Sequence, residues 1–408
     1  MADVLSSLLT RDECDGIFKQ TFNEDLLDFS IEHFEEEFFG FLGEYYRLVC
    51  RGTKGSKKEY FLKSIPIKDE GISERVKKIG VFQKEAALYR TLINDFDEYV
   101  DKLPAWHGKC YYSREDLLVM ENLDIAGYKT VGENEKFTET RILQTLVALA
   151  SMHATSIIFE EINGKSISEA YGDYLEEKNF LKKENGWWTA GINLIKAIAQ
   201  QHPRYQSLKY QQYLEETFMT DLDQIYEILK TSKQFKNTFC HRDIWGQNIL
   251  FKEDSCKFVD FQNCRYCLPA IDFLMVLHCN TQCRQEREQL KDKCVKFYYE
   301  QLESFCAKHN ICLREKAFSL EEFIESCNYA LLLPLVVDAV YKPLTKTPPG
   351  LFAELKVSDP AKYVSICEND RTDFILDLMT KDSNYQDIMN EIVEDIVNHV
   401  YPIENQNK

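Results

Sequence analysis

The sequence is poor in positive charge: Lys and Arg number 49 against 67 Asp and Glu, leaving a formal net charge of −18. A nucleic-acid footprint needs clustered cations, and an anionic bilayer attracts them, so the balance counts against both partners. The opening stretch MADVLSSLLTRDECDG lacks the basic region and the apolar core of a secretion signal. The apolar stretch at residues 330–340 is broken by Pro334 and Asp338 and is too short to span a bilayer, so it reads as a buried helix. No internal repeat and no long low-complexity linker interrupts the chain. These absences give the expectation of a cytoplasmic protein with no membrane association and no sign of an obligate protein partner.

What is present is a globular composition. Apolar residues make up 44% and charged residues 28%, which is ordinary for a folded chain and excludes wholesale disorder. A length of 408 residues suits two lobes, each with its own core. The 14 cysteines are scattered rather than framing a small domain, and without a secretion signal they read as reduced thiols. Cys264 and Cys267 have C-x-x-C spacing, and Cys279 and Cys283 follow. The first pair flanks Arg265 and Tyr266, and the second falls on a predicted helix. Packing as small buried residues is favoured over zinc.

Residues 1–40 read as a helical lead-in. The stretch FFGFLGEYYRLVCRGTKGSKKEYFLKSIP then reads as strand, turn, strand, with Gly52 and Gly55 in the turn. Residues 73–92 carry Val76, Ile79, Phe82 and Ala86 at helical spacing. Another strand covers residues 116–123. A long helix follows, with Ile142, Leu146, Leu149 and His153 on one face and Thr138 or Thr140 at its cap. The remainder is predicted helical, apart from a strand-and-loop island between residues 239 and 261. The reading is α+β and bilobal, with a small β-rich lobe at 1–122 and a large, mostly helical lobe at 123–408.

The island carries the chemistry. Residues 239–273 read FCHRDIWGQNILFKEDSCKFVDFQNCRYCLPAIDF, in which Asp243 and Asn248 have D-x-x-x-x-N spacing and Asp260 ends an apolar strand. Phosphoryl transfer needs one carboxylate to orient and deprotonate an attacking hydroxyl. It also needs a carboxylate and a neutral oxygen donor to hold Mg2+ against the phosphates. A hairpin turning at residues 253–256 would return Asp260 to the loop that presents Asp243 and Asn248. Asp243 is the candidate base, and Asn248 and Asp260 are the candidate metal ligands. His241 reads as a loop brace rather than a catalyst. Asp272 either accepts backbone hydrogen bonds from the loop or caps the helix near Pro269.

The smaller half must supply a nucleotide clamp. Lys63 sits on a strand from which its ammonium can reach ATP phosphates, and Glu85 on the next helix can pair with it. Gly40 and Gly43 would let backbone amides approach the phosphates, although the segment is not a G-x-G-x-x-G loop. Glu121 ends LLVME at the changeover, where backbone groups can meet adenine. Trp187, Trp188 and Trp245 are candidates for an apolar acceptor pocket, with core packing as the alternative for the first two.

Together these segments resemble the insect ecdysteroid kinase-like family, also called CHK kinase-like proteins, and more distantly the choline and aminoglycoside kinases. CHRDIWGQNILF is similar to a family pattern close to CHGDxWxxNILF, and FVDFQNCRYCLPAIDFL to VDFQxxRYxxPxxDLL. LKSIP, FQKEAALY, LLVMENLDIAGYK and LASMHATS extend the likeness upstream. Arg242 departs from the family's glycine, and Asn122 from an acidic residue. The resemblance implies a protein-kinase-like fold and ATP-dependent phosphorylation of a small-molecule alcohol, an ecdysteroid or similar apolar alcohol first among them. Choline-like, aminoglycoside-like and xenobiotic acceptors are the alternatives, as is a non-catalytic nucleotide- or ligand-binding scaffold. The absence of D-F-G, of A-P-E and of a long activation segment after Asp260 counts against a protein kinase.

Overall fold

A computed structural model describes residues 8–34, 43–67, 70–132, 137–178 and 185–402. Its first part is an antiparallel sheet of five strands, β1 (Leu26–His33), β2 (Glu44–Gly52), β3 (Lys57–Ser64), β4 (Cys110–Arg114) and β5 (Leu117–Glu121), in the order β1-β2-β3-β5-β4. Gly55 turns the β2–β3 hairpin in a left-handed conformation at φ 93°, as the turn reading requires. The register sets Lys63 opposite Tyr45 on one side and Leu118 on the other, so this lysine stands at the centre of the sheet.

Residues 1–40 are not wholly helical. Helix Arg11–Lys19 is closed by a capping box between Thr10 and Glu13, but β1 follows it and pairs with β2. β1 is an edge strand and is mostly exposed, so it carries little of the apolar alternation by which a strand is recognised. Helix Arg11–Lys19 covers one face of the sheet, where Ile17 and Phe18 share a core with Tyr46, Leu48, Tyr60 and Leu62.

The single helix predicted over 73–92 is two, Glu70–Ile79 and Val81–Arg90. Gly80 breaks it at φ 77°, a left-handed conformation that most residues resist. Glu85 lies on the second helix, which packs under the sheet with Phe82, Ala86 and Leu88 buried.

After β5 the chain is mostly helical. Helix Glu139–Asn163 starts at Thr138, whose hydroxyl accepts from Arg141 N at 3.3 Å. It is the one helix among the described residues that is long and apolar enough to cross a bilayer, and 83% of its apolar window is buried inside the protein. Ser156 on this helix accepts a hydrogen bond from Phe239 N at 2.8 Å and so fixes the short strand β6 (Thr238–Cys240) that enters the island. The island holds the hairpin of β7 (Ile249–Lys252) and β8 (Ser255–Phe258), while β9 (Arg265–Cys267) pairs with β6. All cysteines are free, and the C-x-x-C pair, Cys264 and Cys267, is buried.

Candidate active site

Lys63 carries the first half of the site. Its ammonium lies 2.7 Å from Glu85 Oε2 and 2.8 Å from Asp260 Oδ1, and its side chain is almost wholly buried. Burial alone would lower its pKa, but the carboxylates of Asp260 and Glu85 outweigh this and hold the ammonium above its ordinary value. Glu85 Oε1 also accepts from Phe261 N at 3.0 Å, so one carboxylate ties the sheet to the island. Gly43 stands beside this group. A Cβ there would lie 3.3 Å from Ser64 O and 3.5 Å from Lys63 Cε, so a side chain would crowd the lysine. Gly40 lies outside the described residues.

The island supplies the second half. The β7–β8 hairpin returns the chain so that Val259 N donates to Asn248 O at 3.1 Å, which sets Asp260 next to the loop carrying Asp243. Asp260 adopts φ 69°, a left-handed conformation that Asp tolerates better than most residues. Its oxygens accept from Lys63 and, at 3.2 Å, from Gln262 Nε2. Asn248 Nδ2 donates to Asp243 O at 2.9 Å, which turns the amide so that Oδ1 is its remaining ligand atom. Asn248 Oδ1 and the Asp260 carboxylate are hard oxygen donors, a set that suits Mg2+.

Asp243 is buried, and both its oxygens are held. Tyr341 OH donates to Oδ1 at 3.0 Å and Asn263 Nδ2 to Oδ2 at 3.1 Å. Burial, and then the charge of Asp260, pushes its pKa up to about 7, against the pull of these hydrogen bonds. The loop is braced from below. Asp272 accepts from His241 N at 2.6 Å and from Arg242 N at 2.8 Å, although it also sits in the first turn of helix Pro269–Asn280. His241 Nε2 donates to Val259 O at 3.0 Å, and burial keeps the ring's pKa low. His153, Cys240 and Asp272 come close enough to suggest a metal cluster. His153 is engaged instead by Tyr298 OH at 2.6 Å and by Asp272 at 3.4 Å, and the Asp272 oxygens take the two loop amides, so the group reads as a buried hydrogen-bond network.

The Glu121 side chain accepts from Lys257 Nζ at 3.0 Å and from Lys109 N at 3.3 Å, and its backbone N–H donates to Lys109 O at 2.7 Å. The three candidate tryptophans separate. Trp188 is fully buried in the core, as the alternative reading had it, whereas Trp187 and Trp245 are half-buried and both pack edge-on against Tyr341. A cleft of about 560 Å3 around Gln83, Arg90 and Arg114 touches none of these residues.

The sequence matches the model of the ecdysteroid kinase-like family over residues 40–311, two thirds of the chain. The chain belongs to this family. No curated protein matches it. Among solved structures, choline kinase from Cryptosporidium parvum Iowa II is 12% identical and covers 96% of each chain at a TM-score of 0.46. The ADP-bound aminoglycoside phosphotransferase APH(2'')-Ib is 13% identical, covers 95% of this chain and 99% of its own, and gives 0.39. Plasmodium vivax ethanolamine kinase is 12% identical, with 84% and 86% covered and 0.33.

The family's motifs also give meaning to the departure at Arg242. Its backbone is left-handed at φ 65°, where glycine is at ease and arginine costs about 1–2 kcal/mol. The buried guanidinium is paired with Glu177, which Arg265 also reaches at 3.4 Å. Sequence reasoning missed Glu177, Asn263 and Tyr341. Asn263 lies inside the island and had a local signal, a second amide close behind Asp260. Tyr341 lies in another helix and had none.

Proposed function

We propose that this ecdysteroid kinase-like chain is an ATP- and Mg2+-dependent phosphotransferase acting on the hydroxyl of a small molecule, with an ecdysteroid or similar apolar alcohol as the leading acceptor class. The observation that supports it most is the convergence of Lys63 with Glu85 and Asp260, at 2.7 and 2.8 Å, beside a buried Asp243. In this reading residues 1–122 form the nucleotide-binding lobe, and residues 123–408 carry the catalytic loop and the acceptor site. Lys63, oriented by Glu85, binds the α- and β-phosphates; Gly43 keeps its surroundings open, and Gly40 belongs to the same turn. Glu121 offers its backbone carbonyl to adenine.

Asn248 and Asp260 would hold Mg2+, which when bound offsets charge on the phosphates. Asp243 orients the acceptor hydroxyl and takes its proton as the oxygen attacks the γ-phosphorus, and ADP leaves. Its raised pKa suits a base working near neutrality, since a carboxylate near pH 7 is a stronger proton acceptor than an ordinary aspartate.

The test is transfer of labelled phosphate from Mg-ATP to a panel of ecdysteroids, other apolar alcohols, choline-like compounds and aminoglycosides, with Asp243→Asn alongside. Transfer to one class, lost in the variant, is the expected result. Equal product from Asp243→Asn would remove Asp243 from the role of base.

A further inference from the structure

Beyond residue 311, where the family match ends, two side chains bear on Asp243 and its surroundings. Tyr341, on helix Leu332–Thr345, donates its hydroxyl to Asp243 Oδ1 at 3.0 Å. Its ring is met edge-on by Trp187 with centroids 5.1 Å apart and by Trp245 at 6.0 Å. All three residues are half-buried. Arg371 lies behind them with its guanidinium 5.4 Å from the centre of the Trp187 ring.

Arg371 is a buried cation of an unusual kind. It is 0% exposed, and its hydrogen bonds go to three backbone carbonyls, Val340 O, Trp187 O and Cys367 O, at 3.2, 2.7 and 3.0 Å. Among the described residues no carboxylate lies within ion-pair distance of it. Its positive charge is therefore not cancelled locally, and one face of the Trp187 indole is already committed to a cation. A second cation on the same ring system would meet repulsion from a fixed, poorly screened charge.

We propose that Tyr341 is a positioning residue that links acceptor and base, and that Arg371 sets the acceptor's charge: Trp187, Tyr341 and Trp245 form a platform for an uncharged alcohol and disfavour a cationic one. This rests on the kinase reading above. The Tyr341 hydroxyl occupies one lone pair of Asp243 Oδ1 and fixes the carboxylate, leaving the other pair for the acceptor hydroxyl. The same ring supports the indoles on which the acceptor lies. Occupancy of the platform and orientation of the base are thus joined through one side chain.

The test uses the full chain and needs no known acceptor. Mg-ATP binding and ATP hydrolysis with water as acceptor are measured for wild type, Tyr341→Phe and Asp243→Asn. Indole fluorescence is titrated with choline and with its uncharged isostere, in which carbon replaces nitrogen, for wild type, Arg371→Gln, Arg371→Lys and Tyr341→Leu. Tyr341→Phe should lower hydrolysis about tenfold, the loss of one hydrogen bond to the base, with Mg-ATP binding unchanged. Wild type and Arg371→Lys should prefer the neutral probe, Arg371→Gln should lose that preference, and Tyr341→Leu should weaken both probes.

Wild-type hydrolysis in Tyr341→Phe, with Asp243→Asn inactive, would overturn the positioning role and leave the kinase reading standing. Failure of wild type to bind Mg-ATP would overturn the kinase reading and the positioning role with it. Equal affinity of wild type for the two probes would overturn the charge selection, whatever the hydrolysis shows.

Discussion

At the scale of single residues, Lys63 and Asp243 stand in the same site under opposite electrostatic conditions. Lys63 is a buried cation held by two carboxylates, so Lys63→Met would leave Glu85 and Asp260 facing each other and should cost about 3 kcal/mol. Asp243 is a buried anion whose pKa stands near 7 rather than the ordinary 3.8. Between these values the folded state binds more protons than the unfolded one, so stability from this group is present below pH 3.8 and is lost as pH rises through about 7. Asp243→Asn removes the titration. It should be more stable than wild type, by an advantage that grows from pH 4 to pH 7, levels off above, and reaches on the order of 1–4 kcal/mol. Urea unfolding of the nucleotide-free protein over this pH range checks both signs. An Asp243→Asn protein less stable than wild type at pH 7.5 would mean that its hydrogen bonds outweigh its desolvation.

At the scale of elements, the acceptor side depends on a close approach between two helices. A Cβ on Gly191, in helix Gly186–Gln201, would come within 2.6 Å of Val340 Cγ1 on helix Leu332–Thr345. The missing side chain lets the helices draw together and brings Trp187 to Tyr341. Gly191→Val should therefore cost about 1–3 kcal/mol from overpacking and reduce phosphate transfer along with stability. Adding Val340→Ala, which clears the space, should restore much of both. Thermal unfolding and transfer rates of the two variants decide the matter, and no rescue would refute the close-packing account.

The same elements explain what could be read before the structure. Lys63, Glu85, Asp243, Asn248 and Asp260 lie in short motifs, each on a strand, helix or loop with a local signature, and the structure brings them together. Tyr341 lies on a helix whose apolar face looks like any other core, and Arg371 stands just before another helix, so only tertiary packing brings the first to Asp243 and the second to Trp187. β1 escaped because an exposed edge strand carries little alternation, and the break at Gly80 because a single glycine inside a helical pattern is ambiguous.

At the scale of the whole molecule, the sheet and the island are tied by the Lys63–Asp260 pair, the Glu85–Phe261 hydrogen bond and the Lys257–Glu121 pair. A ligand that binds only the folded chain stabilises it by mass action, so saturating Mg-ATP should raise the unfolding temperature by a few degrees. The rise should vanish in Lys63→Met and in Asp260→Asn. A full rise in either variant would place the nucleotide elsewhere. The thiols give a separate check on the packing. Cys312 is exposed whereas Cys264 and Cys267 are buried, so a thiol reagent added to the native protein should modify Cys312 first, as read by mass spectrometry.

The residues proposed to transfer phosphate fall within 40–311, while Tyr341, whose helix reaches back to Asp243, and Arg371, which reaches Trp187, lie past that stretch. On the proposed roles, part of the choice of acceptor is thus written outside the passage that holds the transferring residues. Inheritance can revise that outlying part without spelling out the reaction again, which gives a lineage of such proteins room to diversify its substrates.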